Sequence, residues 1–220
     1  AISYDLGWEN LSVRVGFSAD MADRNAKLTK DAAKVRNKNK FLVQEFPETS
    51  QDYYLDTNQN IFSAKVLYCG KMSEKDQQSI SFSNEVSCLP SHFVILDRTL
   101  FYPEGGGQLG DQGKLSQKGN EVNVLDTKIE DGIIIHFTDS SLENGSAEGQ
   151  VDSTRRKQLM DHHTAVHIVG GAARDILGPH IRQAGSNKGQ KYARIDLTHH
   201  SRMSRELLDQ IEDKANDILQ

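Results

Sequence analysis

The chain has 220 residues, enough for one large or two small domains. Its apolar content of 36 % supplies a core, its charged fraction of 26 % is ordinary, and its net charge of −5 gives no overall basic field for nucleic acid, although a local basic patch remains compatible with that average. Cys69 and Cys88 make no disulfide framework, no run approaches membrane-helix length, and the start lacks a signal-peptide pattern, so a reducing, cytoplasmic setting without membrane is expected.

In chain order, Trp8, Leu11, Val13, Val15 and Phe17 predict a strand over residues 8–17. A helix is expected over 18–39, with Ser18 as N-cap and Ala22, Ala26, Ala32 and Ala33 as strong helix formers. Its basic residues, among them Lys27, Lys30, Lys34 and Arg36, suit either a solvated face or RNA contact. Residues 46–56 read as an ordered linker anchored by Tyr53 and Tyr54. Strand signals then crowd together at Ile61–Leu67, Ser79–Val86, Phe93–Leu96, Glu121–Thr127, Gly132–Phe137 and Glu148–Val151. Short strands separated by turns predict a small antiparallel β-barrel.

After residue 152 the pattern changes. Leu159, Val166, Ile168, Val169, Ala172, Ala173 and Ile176 recur at helical spacing over 153–177, and Gly178-Pro179 stop the run. A hairpin is expected over 180–197, turning near Asn187-Lys188-Gly189, followed by an amphipathic helix over 201–220. The expected fold class is therefore α+β, with a helical segment and linker (1–55), a β-barrel (56–152) and an α+β domain (153–220). The start at Ala1-Ile2-Ser3 and the abrupt end of the last helix predict a stretch of a longer enzyme.

His163 and His167 stand four apart on the 153–177 helix and so share a face. Two imidazoles placed that way suit zinc, and they equally suit one buried and one solvated histidine. His162 points about 100° away and is a poor ligand partner. Cys88-Leu89-Pro90-Ser91-His92 has a ligand-like spacing, but Pro90 prevents a regular helix, and a barrel loop is the expectation. Gly105-Gly106-Gly107 permits positive φ and close backbone approach, to a phosphate or to a neighbouring helix. Arg194 and Asp196 share a strand face with Tyr192, in an ion pair or in catalysis. His92, His136 and His180 are expected to be structural.

Three blocks carry a resemblance. They are Asp97–Asp111 with Gly105-Gly106-Gly107-Gln108, His163-Thr164-Ala165-Val166-His167, and Gln183-Ala184-Gly185-Ser186 with Arg194-Ile195-Asp196-Leu197-Thr198-His199. In this order they resemble the editing region of alanyl-tRNA synthetases, the archaeal form most closely. The first 50 residues are more weakly similar to the tail of that family's tRNA-recognition region.

The resemblance implies that residues 153–220 are the N-terminal part of the editing domain shared by threonyl- and alanyl-tRNA synthetases. It implies hydrolysis of tRNA for alanine mischarged with serine or glycine. The implied metal ligands are His163 and His167, with a second pair from a Cys-x-x-x-His motif beyond Gln220, so that this stretch alone is expected to bind zinc weakly and hydrolyse slowly. Gln183, Arg194 and Asp196 take catalytic roles by the same resemblance. Gly105, Gly106, Gly107, Gln108, Asp111, Thr164 and Arg182 take substrate or tRNA contacts, and His199 a supporting place. Arg155 and Arg156 join Arg182 as candidate phosphate contacts. ATP and Mg belong to the parent ligase only. Expected partners are tRNA for alanine and the remainder of the synthetase chain, the parent being a candidate homodimer. A free-standing trans-editing deacylase and a metal-free tRNA-binding module are the alternatives.

Overall fold

The computed structural model describes residues 46–55, 59–83 and 85–219. The strand and helix expected over 8–17 and 18–39, with Lys27, Lys30, Lys34 and Arg36, lie outside the described residues.

Contacts divide the described residues into two compact units. One holds residues 46–105 and Leu109–Arg156, and the other holds Gly106–Gln108 and residues 157–219.

The first unit is a closed antiparallel barrel. Its strands are β2 (Ile61–Lys71), β3 (His92–Leu96), β5 (Gly113–Gln117), β6 (Asn120–Glu130), β7 (Ile133–Thr138) and β8 (Gly145–Val151), in the order β2-β3-β7-β6-β5-β8. Two tight hairpins set the register. Gln117 pairs with Asn120 across Lys118-Gly119, and Glu130 pairs with Ile133 across Asp131-Gly132. All four turn residues have positive φ, the geometry that matches strand twist in two-residue loops.

Alternation along the strands builds two cores. Phe62, Ala64, Val66, Val94, Leu96, Leu115, Val122, Val124 and Ala147 form one cluster. Phe93, Ile95, Ile133, Ile135 and Phe137 form another with Met72, Ile80 and Phe82. β3 and β7 are thus covered on both faces, which is why they read as nearly continuous apolar runs.

Three differences from the sequence reading have physical causes. The strand expected at Ser79–Val86 does not form. Helix α1 (Glu74–Ser79), started by a reciprocal capping box between Ser73 and Asp76, ends where that strand would begin, and residues 80–83 and 85–86 form no strand. Ile80 and Phe82 mimic strand alternation because both pack on the second barrel cluster. β5 escaped notice because its one large apolar residue is Leu115. Residues 46–55 group with the barrel unit by their contacts. There β1 (Ser50–Gln51) pairs in parallel with β4 (Arg98–Thr99), and Tyr53 is buried in the single 3-10 turn that follows.

The second unit is built from helix α2 (Ser153–Leu177), the hairpin of β9 (Gln183–Lys188) and β10 (Ala193–Leu197), and helix α3 (Arg205–Leu219). Asp152 caps α2 by accepting from the Arg155 N–H at 2.9 Å. The helix ends at Gly178, whose φ of 109° the L-residues avoid. Its apolar stripe, Ala165, Val166, Val169, Ala172 and Ala173, packs with Ile181, Ala193, Ile211 and Ala215. The hairpin turn falls at Gly189–Tyr192, later than the expected Asn187-Lys188-Gly189. Lys188 still pairs with Ala193, and Gly189 N–H closes the turn on the Tyr192 carbonyl at 3.0 Å. By contacts the division between the units falls within α2, after Arg156. No helix among the described residues is long and apolar enough to cross a membrane.

Candidate functional site

The described part of the second unit gathers most of the predicted site residues. Gly106–Gln108 runs alongside β9, with Gln108 bridged in parallel to Lys188. Lys188 N–H donates to the Gly107 carbonyl at 2.7 Å, and its Nζ donates to the Gly106 carbonyl at 2.5 Å. Glycine is required at position 107 on two counts. Its φ is 79°, and a Cβ there would lie 2.4 Å from the Ser186 carbonyl oxygen. The close approach expected of the glycine block is therefore made to β9.

That segment sets the state of His163. Its Nδ1–H donates to the amide oxygen of buried Gln108 at 2.8 Å, which leaves Nε2 with a lone pair. Burial holds the His163 pKa below its usual value, and the Lys188 and His167 charges lower it further. The ring is neutral at physiological pH. His167 lies beside it, the two rings stacked with centroids 5.1 Å apart. A neutral imidazole whose second nitrogen is fixed by a carbonyl oxygen is the usual form of a metal-bound histidine. The pair therefore fits two positions of a zinc shell. Among the described residues no third histidine, cysteine or carboxylate completes a cluster with it.

His162 faces elsewhere, as expected. It is buried, and its Nδ1–H donates to the Gly189 carbonyl at 2.7 Å. Thr164 and Arg182 are exposed. Gln183 Nε2 donates to Ser186 Oγ at 3.0 Å, leaving the Gln183 amide oxygen available as an acceptor. Lys188 Nζ reaches the same hydroxyl at 2.7 Å. Arg194 and Asp196 form an ion pair along β10 at 3.1 Å. Gly185 makes room for it, since a Cβ there would lie 2.9 Å from Asp196 Oδ2.

Four candidates lie in the barrel unit. Gly105 sits in its loop. Asp111 is buried, accepts from Tyr102 N–H at 2.7 Å and is ion-paired with Arg156. Arg156 also donates to the Leu100 carbonyl, and Arg155 donates to the Gly110 carbonyl at 2.8 Å and to Glu85 at 3.1 Å. Both arginines are buried, which corrects the expectation that they contact phosphate. Their charge is used within the barrel. Cys88 is exposed and His92 opens β3 with its Nδ1 on Ser91 Oγ at 2.8 Å, in keeping with a loop entering a strand.

Comparison with known proteins identifies the chain's relatives. The family model for class II (A) tRNA synthetases matches residues 9–155. The chain belongs to this family. It is 39 % identical over 204 residues, 92 % of its length, to the alanine–tRNA ligase of Haloquadratum walsbyi. It is 42 % identical over 178 residues, 80 % of its length, to that of Natronomonas pharaonis, and 42 % identical over 149 residues, 66 % of its length, to that of Metallosphaera sedula. It spans 20 %, 18 % and 16 % of those relatives.

Two residues of this synthetase-family chain escaped the sequence reading as site components. Lys188 was placed in the turn, yet it is buried and joins the glycine segment to β9. Ser186 stands inside a recognised block without a role, yet it receives both Gln183 and Lys188. Period-two alternation was the available signal, since it puts Ser186 and Lys188 on one face of β9.

Proposed function

We propose that this chain is a stretch of an alanine–tRNA ligase and carries part of a hydrolytic editing site. Its substrate class is tRNA for alanine esterified with serine or glycine. A one-methyl or one-hydroxyl difference gives a pocket only ~1–3 kcal/mol of discrimination, so a second, hydrolytic selection is needed. The observation that carries the reading is the neutral His163, set by Gln108 and stacked on His167. Its likeness to the alanine–tRNA ligases over most of the chain supplies the substrate.

His163 and His167 would hold zinc, with further donors from outside the described residues. Zinc bound there supplies Lewis-acid polarisation of the ester or of a water. The chain's own groups do the rest. Gln108 keeps the His163 tautomer, so Nε2 is the nitrogen offered to the site. Lys188 places a cation beside it and ties the glycine segment to β9. Gln183 offers its amide oxygen to the hydroxyl of a serine side chain. ATP and Mg serve the ligation reaction of the parent enzyme and have no role at this site.

The reading is tested in the full-length ligase carrying this stretch, supplied with serine, ATP and tRNA for alanine. The parent should accumulate little seryl-tRNA, and His167→Ala should accumulate it while alanine attachment continues. No accumulation in the variant would remove the editing assignment.

A further inference from the structure

We propose that His180, His199 and His200 form a second metal site, for a nitrogen-preferring divalent transition ion such as Zn2+, Ni2+ or Cu2+, separate from the His163–His167 pair.

Each of the three residues offers a ring nitrogen, and these donor atoms all lie within 4.8 Å of one another. Two nitrogens on a tetrahedral zinc, each about 2.0–2.1 Å from the metal, stand ~3.3 Å apart. His180 Nε2 and His199 Nδ1 are already 3.2 Å apart. The edge already has the length a bound ion needs; the ion lies off the line between the nitrogens, so both rings turn to face it and His180 keeps its proton on Nδ1 instead of Nε2.

The backbone beneath the rings is fixed. Thr198 N–H donates to the Arg182 carbonyl at 2.9 Å, and Arg182 N–H donates to Thr198 Oγ1 at 2.8 Å. Thr198 Oγ1 in turn donates to the His180 carbonyl at 3.1 Å. The segment after α2 and the segment after β10 are thus tied together just where the imidazoles meet. His199 Nε2 is 3.3 Å from Ser201 Oγ, so it can donate there and leave Nδ1 bare for a metal. Imidazole donors exclude Mg2+ and Ca2+, which take oxygen. Three protein donors leave one position open to water or an exogenous ligand.

Calorimetric titration of the chain with Ni2+ and Zn2+ tests the site, with Mg2+ as control. One binding event should persist in the His163→Ala/His167→Ala double variant. It should weaken at least tenfold in His180→Ala and in His199→Ala. Mg2+ should give no binding. Unchanged affinity in His199→Ala, or loss of all binding in the double variant, overturns the proposal. If His199→Ala fails to fold, His199→Cys with Co2+ decides. A sulfur-to-cobalt charge-transfer band is expected, and its absence overturns the proposal.

Discussion

His163 is neutral because of where it sits and what it touches. Burial penalises the imidazolium, the Lys188 charge adds to that penalty, and Gln108 fixes which nitrogen keeps its proton. Lys188→Met would leave the Gly106 carbonyl and Ser186 Oγ without their amine, a loss of ~1–3 kcal/mol for a buried acceptor. The same variant should raise the His163 pKa, read as a downfield-to-neutral titration in NMR at higher pH than in the parent. An unmoved His163 titration would show that the two groups do not interact. Gln183→Leu should slow hydrolysis of seryl-tRNA more than glycyl-tRNA, since only serine offers a hydroxyl. The differential should be on the order of 1–3 kcal/mol, and equal losses would make Gln183 structural.

His136 gives a pH prediction of a different kind. It is buried between Thr99 Oγ1 and the Val94 carbonyl, and burial lowers its pKa from 6.5 to about 4. A group with a lowered folded pKa contributes stability above its unfolded pKa and loses it as pH falls. The loss should run from pH 6.5 down to about 4. It should total up to about 3 kcal/mol. Denaturant melts of the parent should show that slope and His136→Gln should flatten it. Parallel pH profiles for the two proteins would contradict the assignment.

At the scale of elements, legibility followed the strength of periodic signals. α2 was readable because its apolar stripe has a clean helical period and Gly178 ends it. β2, β3, β6, β7 and β8 were readable from alternation or continuous burial. α1 was missed because its six residues carry no apolar stripe, its one signal being the Ser73–Asp76 capping box. The pairing of Gly106–Gln108 with β9 could not be read, because nothing in a glycine run says which distant strand it will meet. The His180–His199–His200 group was hidden for the same reason, its members being brought together by the backbone bonds of Thr198. Gly107→Ala tests the glycine pairing. It demands positive φ of an L-residue, costing ~1–3 kcal/mol, and places a methyl 2.4 Å from the Ser186 carbonyl. The segment should detach from β9, seen as faster amide exchange at Lys188. Unchanged exchange would mean the contact is dispensable.

For the whole molecule, the proposed function calls for tRNA contacts, and a net charge of −5 with Arg155 and Arg156 buried assigns them to other basic residues. Arg182 is exposed, and Lys30, Lys34 and Arg36 are candidates from the sequence alone. Each phosphate contact contributes roughly 0.7–0.9 to the slope of log affinity against log salt. Neutralising Lys30, Lys34 and Arg36 together should flatten that slope by about two units if all three touch RNA. An unchanged slope returns them to a solvated face.

The proposed activity is hydrolysis at the His163 site. Its most direct measurement is single-turnover release of serine from preformed seryl-tRNA for alanine, by the full-length ligase and by its His163→Ala variant. Rapid release by the parent, a loss of at least about a hundredfold in the variant and unchanged attachment of alanine are expected. Equal release by both proteins would contradict it.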